Sequence, residues 1–393
     1  MVTTEVTSTS WFGRIGESIK SFIFGLAIFA GSFFLLFWNE GRAVRTEKSL
    51  NEGKGAVVSV PSDRVDPANN QKLVHLTGKA ITAETLSDPD FLIAANAIKL
   101  RRSVEMYQWE EKKETSTRKK IGGGEERTTT YSYSKTWDRH PIDSSSFKEA
   151  EGHENPKAMP YDGREAKAEH VTVGAFTLTP SLLDKMSDFE PIALTDQHLA
   201  ALPAELKAKL KLHNNSFYAG TDPAAPQIGD ARVTFSAVNP ADVSVVSKQT
   251  GTSFEPYKAS AGMDIEMLKR GVFTAEAMFE SALRENTVMT WILRAVGFFL
   301  MFLGLAMFFR LISVLGDVVP FVGSMLAFGT GLFAFVIAGV LSVGTIGVAW
   351  IVYRPVLGIA LLAVAIGSLV WFAMRGKKKV AATAMASTAT ATS

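Results

Sequence analysis

An uncharged apolar run near the start of the chain constrains this sequence more than any other feature. No charged residue occurs from Ser21 to Trp38, and charges resume at Glu40, Arg42 and Arg45. At ~1.5 Å per residue, a helix of this length just crosses a hydrocarbon core of ~30 Å. The run is longer than a signal-peptide core, and its exit lacks the small residues that a signal peptidase requires. We therefore predict an uncleaved membrane span at residues 21–38.

Three further apolar runs follow in the last quarter of the chain. They predict spans at residues 291–309, 332–353 and 356–372, the last two separated by Arg354-Pro355. Residues 310–331 form the predicted connection, with an interfacial or tilted segment. The fold class is thus a multi-pass α-helical membrane protein with four spans. A large β-rich α+β extracytoplasmic domain, residues 39–290, lies between spans 1 and 2.

The distribution of basic residues predicts the sidedness. Four spans place both termini on one side, and the cluster Arg375 and Lys377–Lys379 beside a span favours the cytoplasm. Arg14 and Lys20 agree. The basic residues just after span 1 do not, but acidic residues interleave with them and large domains translocate with little regard to charge. We expect a cytoplasmic tail at 1–20 and a basic, disordered cytoplasmic tail at 373–393.

The N-terminal tail divides into two parts. The first ten residues are polar and predicted to be disordered. Apolar residues at helical spacing then predict a helix over Trp11–Lys20, either interfacial or a plain extension of the span. The helix of span 1 is expected to continue into water as far as Asn51–Gly53.

Segments of the soluble region are rich in β-branched and aromatic residues, and some also show the alternation typical of strands. Strands are predicted at 55–60, 73–81, 98–109, 170–178, 231–238 and 242–248, and helices at 181–186, 203–212 and 274–285. Two alternating segments flank the glycine-rich turn Lys119–Arg127, which predicts a long hairpin. Its aromatic ladder packs across the strands or forms a surface for lipid headgroups or a partner. The ladder consists of Tyr107, Trp109, Tyr131, Tyr133 and Trp137.

Composition and motifs argue against several classes of function. The 41 basic and 39 acidic side chains nearly balance, which does not favour nucleic-acid binding. The chain has no cysteine, so disulfides, thiolate nucleophiles and Cys-ligated metals are excluded. The six histidines lack HExxH spacing, and neither a phosphate loop nor a GxSxG elbow occurs. We expect no catalytic residue, cofactor or metal.

Charged residues of the apolar runs lie at the ends of the predicted spans. Arg294, Arg310, Asp317 and Arg354 are placed where they can reach headgroups, which weighs against a proton-coupled transporter. At the exit of span 1, Asn39, Glu40 and Arg42 mark the membrane boundary; together with Arg294, Arg354 and the aromatic ladder they are candidate boundary or interaction residues. The expected role of Asn39–Ala43 is to fix the depth of the span and the docking of the domain; the alternative is a ligand site. Ala27 and Gly31 form a small-xxx-small pair that permits close helix packing.

Six segments, in order along the chain, resemble the LUMA family (transmembrane protein 43). They are Asn39–Ala43, Lys99–Trp109, Tyr131–Tyr133 with Trp137, Asn155-Pro156 with Ala158-Met159, Gly229–Val233, and Tyr353–Pro355. The resemblance implies four spans, one before and three after a large lumenal domain. In animals it implies the endoplasmic reticulum and inner nuclear membrane, self-association, and contact with emerin and lamins. It supplies no catalytic residues.

The absence of cysteine and the Ala/Thr-rich tail favour a bacterial source, where emerin and lamins are absent. The bacterial cytoplasmic membrane is then expected, or the endoplasmic reticulum and inner nuclear membrane in a eukaryote. The favoured function is a non-enzymatic membrane scaffold that self-associates and presents its domain to protein partners or lipid headgroups. The expected partners are membrane lipids, further copies of the chain, and unidentified membrane or extracytoplasmic proteins. Membrane-lipid sensing or remodelling is the alternative, and an unrecognised membrane enzyme is less favoured.

Overall fold

A computed structural model describes residues 2–121, 123–316, 320–360 and 363. The chain divides into two compact units. The β-rich unit comprises Met1–Ser8, Ser49–Arg118 and Glu125–Leu283, and the helical unit comprises Thr9–Lys48, Lys119–Gly124 and Arg284–Ser393. Most of the predicted fourth span, 356–372, and all of the predicted tail, 373–393, lie outside the described residues.

Three long helices dominate the α-structure. Among the described residues, the helices long and apolar enough to cross a membrane are found at Trp11–Ala56, Ala275–Arg310 and Gly329–Tyr353. The helices are α1 (Trp11–Ala56), α2 (Pro180–Asp184), α3 (Asp196–Ala201), α4 (Ala204–Lys207), α5 (Ala275–Gly316) and α6 (Pro320–Tyr353). Short 3₁₀ turns occupy Pro67–Asn69 and Ser144–Ser146.

Most strands belong to the β-rich unit. In chain order they are β1 (Val2–Thr9), β2 (Val58–Ser59), β3 (Leu73–Ile81), β4 (Leu86–Ser87), β5 (Ala94–Ala95), β6 (Lys99–Lys119), β7 (Glu125–Asp138), β8 (Arg164–Lys167), β9 (Thr172–Val173), β10 (Phe176–Thr177), β11 (Glu190–Pro191), β12 (Leu210–His213), β13 (Ser216–Ala219), β14 (Ala231–Val238), β15 (Ala241–Thr250), β16 (Ser253–Glu255), β17 (Tyr257–Lys258), β18 (Asp264–Ile265) and β19 (Met267–Arg270).

These strands form two main sheets and two small ribbons. The larger sheet has the order β1-β7-β6-β14-β13-β12, with β11 beside β14 and β8 beside β6. The second has the order β10-β9-β3-β15-β16, with β19 beside β15 and β2 beside β3. Side chains of both sheets share one apolar core, because alternate residues of each strand point inward. Examples are Leu76 of β3, Val104 of β6, Val233 of β14 and Val245 of β15.

A second apolar cluster joins the helix ends that belong to the β-rich unit. Leu50 of α1 and Phe279 of α5 are buried in it. The two helices approach closely at Gly53, where a Cβ atom would lie 2.9 Å from the Phe279 ring. Lys54 adds an ion pair to Glu276 at 3.0 Å.

Close glycine contacts hold α1 against α5 in the helical unit. A Cβ atom on Gly304 would lie 2.8 Å from the carbonyl oxygen of Gly25 and from the Phe29 backbone. A Cβ atom on Gly297 would lie 2.5 Å from Leu36. Helices in lipid gain their association from such close backbone packing, since hydrocarbon supplies no hydrophobic driving force between them. The small-xxx-small pair predicted for this purpose, Ala27 and Gly31, instead lies on an exposed face.

Several predicted elements are confirmed. Strands β3 and β14 have their predicted bounds, and α1 continues beyond the predicted span to Ala56. The long hairpin is formed by neighbouring strands β6 and β7. Trp11–Lys20 is part of the same helix as the span, which is the plain-extension alternative. Thr274 caps α5, its hydroxyl accepting a hydrogen bond from the N–H of Ala277 at 3.2 Å.

Other predictions are corrected by the structure. The first ten residues are not disordered: β1 pairs with β7, and its Val and Thr side chains suit an edge strand. Residues 55–60 hold the helix end and a two-residue strand. Residues 170–178 form two short strands about Gly174, whose φ of +60° and contact with Ser62 disfavour any side chain.

Two predicted helix boundaries also differ. Of the helix predicted over residues 203–212, only α4 is formed. Leu210–His213 instead forms β12, because Asn214 and Asn215 adopt positive φ in a tight hairpin turn. In the predicted connection 310–331, helix occupies the residues up to Gly316 and again from Pro320.

A buried polar junction between three membrane helices

The carboxylate of Glu40 is the centre of a junction between α1, α5 and α6. Its side chain is 1% exposed. Arg294 of α5 donates from Nε to Oε1 at 2.6 Å and from Nη2 to Oε2 at 2.9 Å. Trp350 of α6 donates from Nε1 to Oε2 at 2.7 Å. One acidic side chain therefore connects three separate helices.

A second set of hydrogen bonds joins the same turn of α1 to α5. Asn39 donates from Nδ2 to the carbonyl oxygen of Thr290 at 3.0 Å. Arg42 donates to Asn286 Oδ1 at 3.0 Å and to Thr290 Oγ1 at 3.1 Å. Asn286 in turn donates to the carbonyl oxygen of Ala43 at 3.0 Å. The contacts run in both directions, so the two helices are fixed in register.

Helix α6 closes the junction at its C-terminal end. Tyr353 lies against Gly41, where a Cβ atom would be 2.6 Å from Cζ of the ring. The next residue, Arg354, forms an ion pair with Glu47 of α1. Glycine at position 41 therefore permits Tyr353 to pack directly on the backbone of α1.

The electrostatics of the junction favour a permanent structural role. A carboxylate in a low-dielectric environment is costly unless it is paired and hydrogen-bonded. Here three donors satisfy Glu40, and the guanidinium of Arg294 also lies 4.7 Å from the centre of the Trp291 ring. A carboxylate whose oxygens are already occupied by three donors offers little to a further ligand. The arrangement links the three helices.

Five of the ten predicted candidates meet at this junction. Glu40 and Arg294 belong to the first set of hydrogen bonds, Asn39 and Arg42 to the second, and Arg354 lies beside them. Arg294 and Arg354 were expected to reach headgroups, but each instead pairs with a glutamate of α1.

Sequence reasoning missed the partners on the other helices. These are Glu47, Asn286, Thr290, Trp350 and Tyr353. A signal for α5 was present, because Asn286, Thr290 and Arg294 follow one another at intervals of four residues. That spacing places all three on one face of a helix.

The other five candidates are the aromatic residues of the hairpin. Tyr107 and Trp137 face each other with ring centres 5.1 Å apart. Tyr133 is buried and stacks on His153 at 4.0 Å. Trp109 meets His153 edge-on at 4.7 Å. These contacts favour packing within the β-rich unit over an open aromatic surface for four of the five rings.

Tyr131 is tied to the N-terminal strand. Its hydroxyl donates to Glu5 Oε2 at 3.1 Å, and Lys148 forms an ion pair with the same carboxylate at 2.9 Å. Burial first, and then the adjacent Glu5 carboxylate, raise the pKa of Tyr131. The contact explains why β1 is ordered against the hairpin.

Asn155 fastens the segment after the hairpin to β6. Its Oδ1 accepts from the backbone N–H of Trp109 at 2.7 Å, and its Nδ2 donates to the carbonyl oxygen of Trp109 at 2.9 Å. The side chain thus replaces a neighbouring strand at the point where β14 no longer pairs with β6. It belongs to the Asn155-Pro156 motif found in the sequence, and its role was not predicted.

The tip of the hairpin contacts the N-terminal end of α1 within the helical unit. Gly123, with φ +81°, lies against Trp11, and Arg14 donates from Nη1 to its carbonyl oxygen at 2.6 Å. Trp11 also donates from Nε1 to the carbonyl oxygen of Val314 in α5 at 2.9 Å. Within the part of the chain that the structure describes, no group of three His, Asp or Glu side chains is placed to hold a metal ion.

Three apolar membrane helices, a buried polar junction between them and a large β-rich unit define a multi-pass membrane protein with a substantial β-rich region. The family described as Transmembrane protein 43 matches residues 106–355. The chain belongs to this family, as the sequence resemblance indicated.

The similarity to individual relatives covers most of the chain. Transmembrane protein 43 of Homo sapiens is 36% identical over 356 residues, covering 87% of this chain and 86% of the human protein. The mouse protein shows the same identity and coverage. The Transmembrane protein 43 homolog of Drosophila melanogaster is 30% identical over 373 residues, covering 91% and 96%. No solved structure matches the chain.

Proposed function

We propose that the protein is a non-enzymatic membrane scaffold. It self-associates through its helical unit and presents the β-rich unit to protein partners or lipid headgroups. The observation that carries the proposal is the junction around Glu40, whose donors and acceptors are directed at one another. Because these polar groups bind one another, they hold the three helices in a fixed arrangement. The other faces of the helices remain free for association.

One face of α1 is suited to association with a second copy. Phe24, Ala27, Gly31, Phe34 and Trp38 recur at helical spacing and are all exposed. Gly31 has open space where a Cβ atom would be, whereas Gly25 on the other face is occupied by α5. A small residue between large aromatic ones leaves a notch into which a second helix could fit closely.

Co-purification of two differently tagged copies from one membrane tests self-association. We expect the copies to co-purify and Gly31→Ile to reduce the yield of the pair. Gly344→Ile on α6 is the matched control, because its position also has no neighbour within 4 Å. Copies that never co-purify, even after crosslinking in the membrane, would contradict the scaffold role.

We further propose four spans with both termini in the cytoplasm. Trp11 and Trp38 are separated by ~40 Å along α1, which matches a bilayer with its two interfaces. After α6, the chain turns sharply at Arg354, since a Cβ atom on Gly358 would lie 2.6 Å from the backbone of Ile351. Gly358 thus lies against α6, which supports the proposal that the apolar run 356–372 forms a fourth span.

The contact of Gly123 with Trp11 bears directly on this sidedness. The hairpin belongs to the sequence region proposed to lie outside the cytoplasm, whereas Trp11 precedes span 1. Polar strands cannot lie in hydrocarbon. The proposal therefore requires the contact between Arg14 and Gly123 to open when a bilayer surrounds residues 21–38.

The sidedness can be tested by labelling single introduced cysteines, because the chain contains no cysteine of its own that would react with the reagent. We expect an impermeant thiol reagent added from outside to label positions 123 and 150, and to label position 14 only after permeabilisation. Labelling of positions 14 and 123 from the same side would overturn the proposed arrangement. Labelling of position 150 from the cytoplasm alone would do the same.

A further inference from the structure

The N-terminal strand β1 occupies an edge of the larger sheet that would otherwise be open. β7 pairs with β6 along one edge and with β1 along the other, and β1 is the last strand on that side of the sheet. Glu5 of β1 contacts Tyr131 of β7. Thr7 contacts Arg127, so the two strands run in opposite directions. Without β1, a row of backbone N–H and C=O groups of β7 could pair with another strand.

Little apolar burial holds β1 in place. Val2 and Val6 are 65% and 58% exposed, so neither anchors the strand in a core. The hydroxyl of Thr3 donates to Glu149 Oε1 at 2.5 Å, which is a polar contact at the surface of the unit. Backbone pairing and polar side chains therefore hold β1, and a strand from another chain could reproduce both kinds of contact.

A basic site beside this edge receives the one acidic side chain of β1. Lys148 Nζ lies 2.9 Å from Glu5 Oε1, and the Tyr131 hydroxyl donates to Glu5 Oε2 at 3.1 Å. The ammonium groups of Lys148 and Lys113 lie 5.9 and 5.5 Å from the centre of the Tyr131 ring. The hydrogen bond from Lys148, and then that from Tyr131, lower the pKa of Glu5. The edge thus combines a template for a strand with a site for one carboxylate.

The sidedness proposed above would remove β1 from this edge. Ser10 alone joins β1 to α1, and α1 contains residues 21–38 of span 1. With residues 1–20 in the cytoplasm and β7 outside it, a bilayer would separate the two strands, because polar strands do not cross hydrocarbon. The edge of β7 would then be open on the extracytoplasmic side.

We propose that the edge of β7 binds an extended, acidic segment of a partner protein by strand addition, with Lys148 and Tyr131 receiving a glutamate or aspartate side chain. β1 shows what fits: mostly β-branched residues in an extended conformation and one carboxylate. Binding at this edge does not depend on self-association. That the edge is open in the membrane rests on the proposed sidedness, and the binding experiment separates the two.

The probe is a fluorescent peptide with the sequence of residues 2–10, VTTEVTSTS, and its anisotropy reports binding to the full-length protein in nanodiscs. We expect the peptide to bind the wild type. Binding only to a variant that lacks residues 2–9 would support the docking edge but overturn the proposed sidedness, because β1 would still occupy the edge in the bilayer. Absence of binding to both proteins would overturn the docking proposal.

Charge reversal, in the protein that binds the peptide, tests the carboxylate site. Glu5→Lys in the peptide should weaken binding about fivefold, and Lys148→Glu in the protein should restore the binding of that peptide. Lys157→Glu is the control and should not restore it, because Lys157 is exposed and lines a pocket with Asp143 and Asn155. Equal binding of the original and the reversed peptide would contradict the carboxylate site.

Methylation of the peptide backbone tests the strand pairing itself. Alternate residues of an antiparallel strand direct their N–H groups at the same neighbour. One probe carries N-methyl groups on residues 3, 5 and 7, and a second carries them on residues 4, 6 and 8. We expect only one of the two probes to retain binding. Equal affinities of the two probes would overturn strand addition.

Discussion

Glu40 and Arg294, 254 positions apart in the chain, form a two-point ion pair at 2.6 and 2.9 Å in the helical unit. The pair couples the first membrane helix to the second, and Trp350 adds the third. In this family member, the short motif at the end of the first span is therefore explained by helix assembly. Each of its residues from Asn39 to Arg42 has a specific partner on α5 or α6.

Removing both members of this ion pair should cost less than the two single removals added together. We expect Glu40→Leu or Arg294→Leu to lower the free energy of unfolding by about 3–5 kcal/mol, because each leaves a buried charge without its partner. The double variant should lose clearly less than the sum of the two. Unfolding in mixed micelles would measure this double-mutant cycle. Additive losses would show that the two side chains do not act as a pair.

The close packing of α1 on α5 should make Gly304 intolerant of a side chain. Gly304→Val places atoms where the backbone of α1 lies, so we expect about 1–3 kcal/mol of destabilisation. Gly344→Val makes the same chemical change at a helix position with open space and should be nearly neutral. Thermal unfolding of both variants in detergent provides the comparison. Equal melting temperatures would contradict the glycine contact.

His75 should make the β-rich unit sensitive to mild acid. Burial lowers the pKa of this histidine, outweighing the opposite effect of its hydrogen bond to the carbonyl oxygen of Phe273. The unfolded chain therefore binds the proton more readily than the folded one. Stability from this group is complete above pH ~6.5 and is lost as the pH falls through that value towards the lowered pKa.

Denaturant unfolding at pH 7.5 and 5.5 measures the effect. We expect His75→Gln to flatten the loss of stability between the two pH values. The same change at exposed His140 should leave that loss unaltered. An identical pH dependence in the wild type and the His75 variant would refute the assignment.

Asn155 should hold the segment after the hairpin in place. Asn155→Ala removes three hydrogen bonds, two of them to the backbone of Trp109, and we expect a loss of about 1–3 kcal/mol. Hydrogen exchange should become faster in residues 139–160. Asn239→Ala, at an exposed turn where one hydrogen bond reaches Glu190, is the control. Unchanged protection of 139–160 would show that Asn155 does not secure this segment.

The local patterns in the sequence predicted much of the secondary structure. Alternation over residues 231–238 predicted a strand with the observed bounds, because one face of it is buried. The strand-like composition of residues 73–81 also predicted the observed bounds, although its first four residues are all buried. The prediction of one helix over residues 203–212 was wrong. The charged, Pro-initiated composition favours a helix, but Leu210 and Leu212 alternate as in a strand before the Asn214-Asn215 turn. The N-terminal strand was missed because its polarity resembles that of a disordered tail; what orders it is pairing with β7.

Only some residues of the candidate site could be predicted from the sequence. Asn39, Glu40 and Arg42 stand out as polar residues beside an apolar run. Their partners are distant in the chain, and the pairing depends on how α5 and α6 pack against α1, which periodicity within one segment does not encode. The spacing of Asn286, Thr290 and Arg294 indicates a polar face on α5 but does not identify the face of α1 that it meets.

Native mass spectrometry of the full chain ejected from lipid nanodiscs most directly tests the proposal of a self-associating scaffold. The number of copies per nanodisc would be counted over a range of protein-to-lipid ratios, for the wild type and for Gly31→Ile. The account predicts dimers or larger assemblies of the wild type at low ratios, shifted towards monomers by the substitution. A wild-type protein that remains monomeric at every ratio would contradict it.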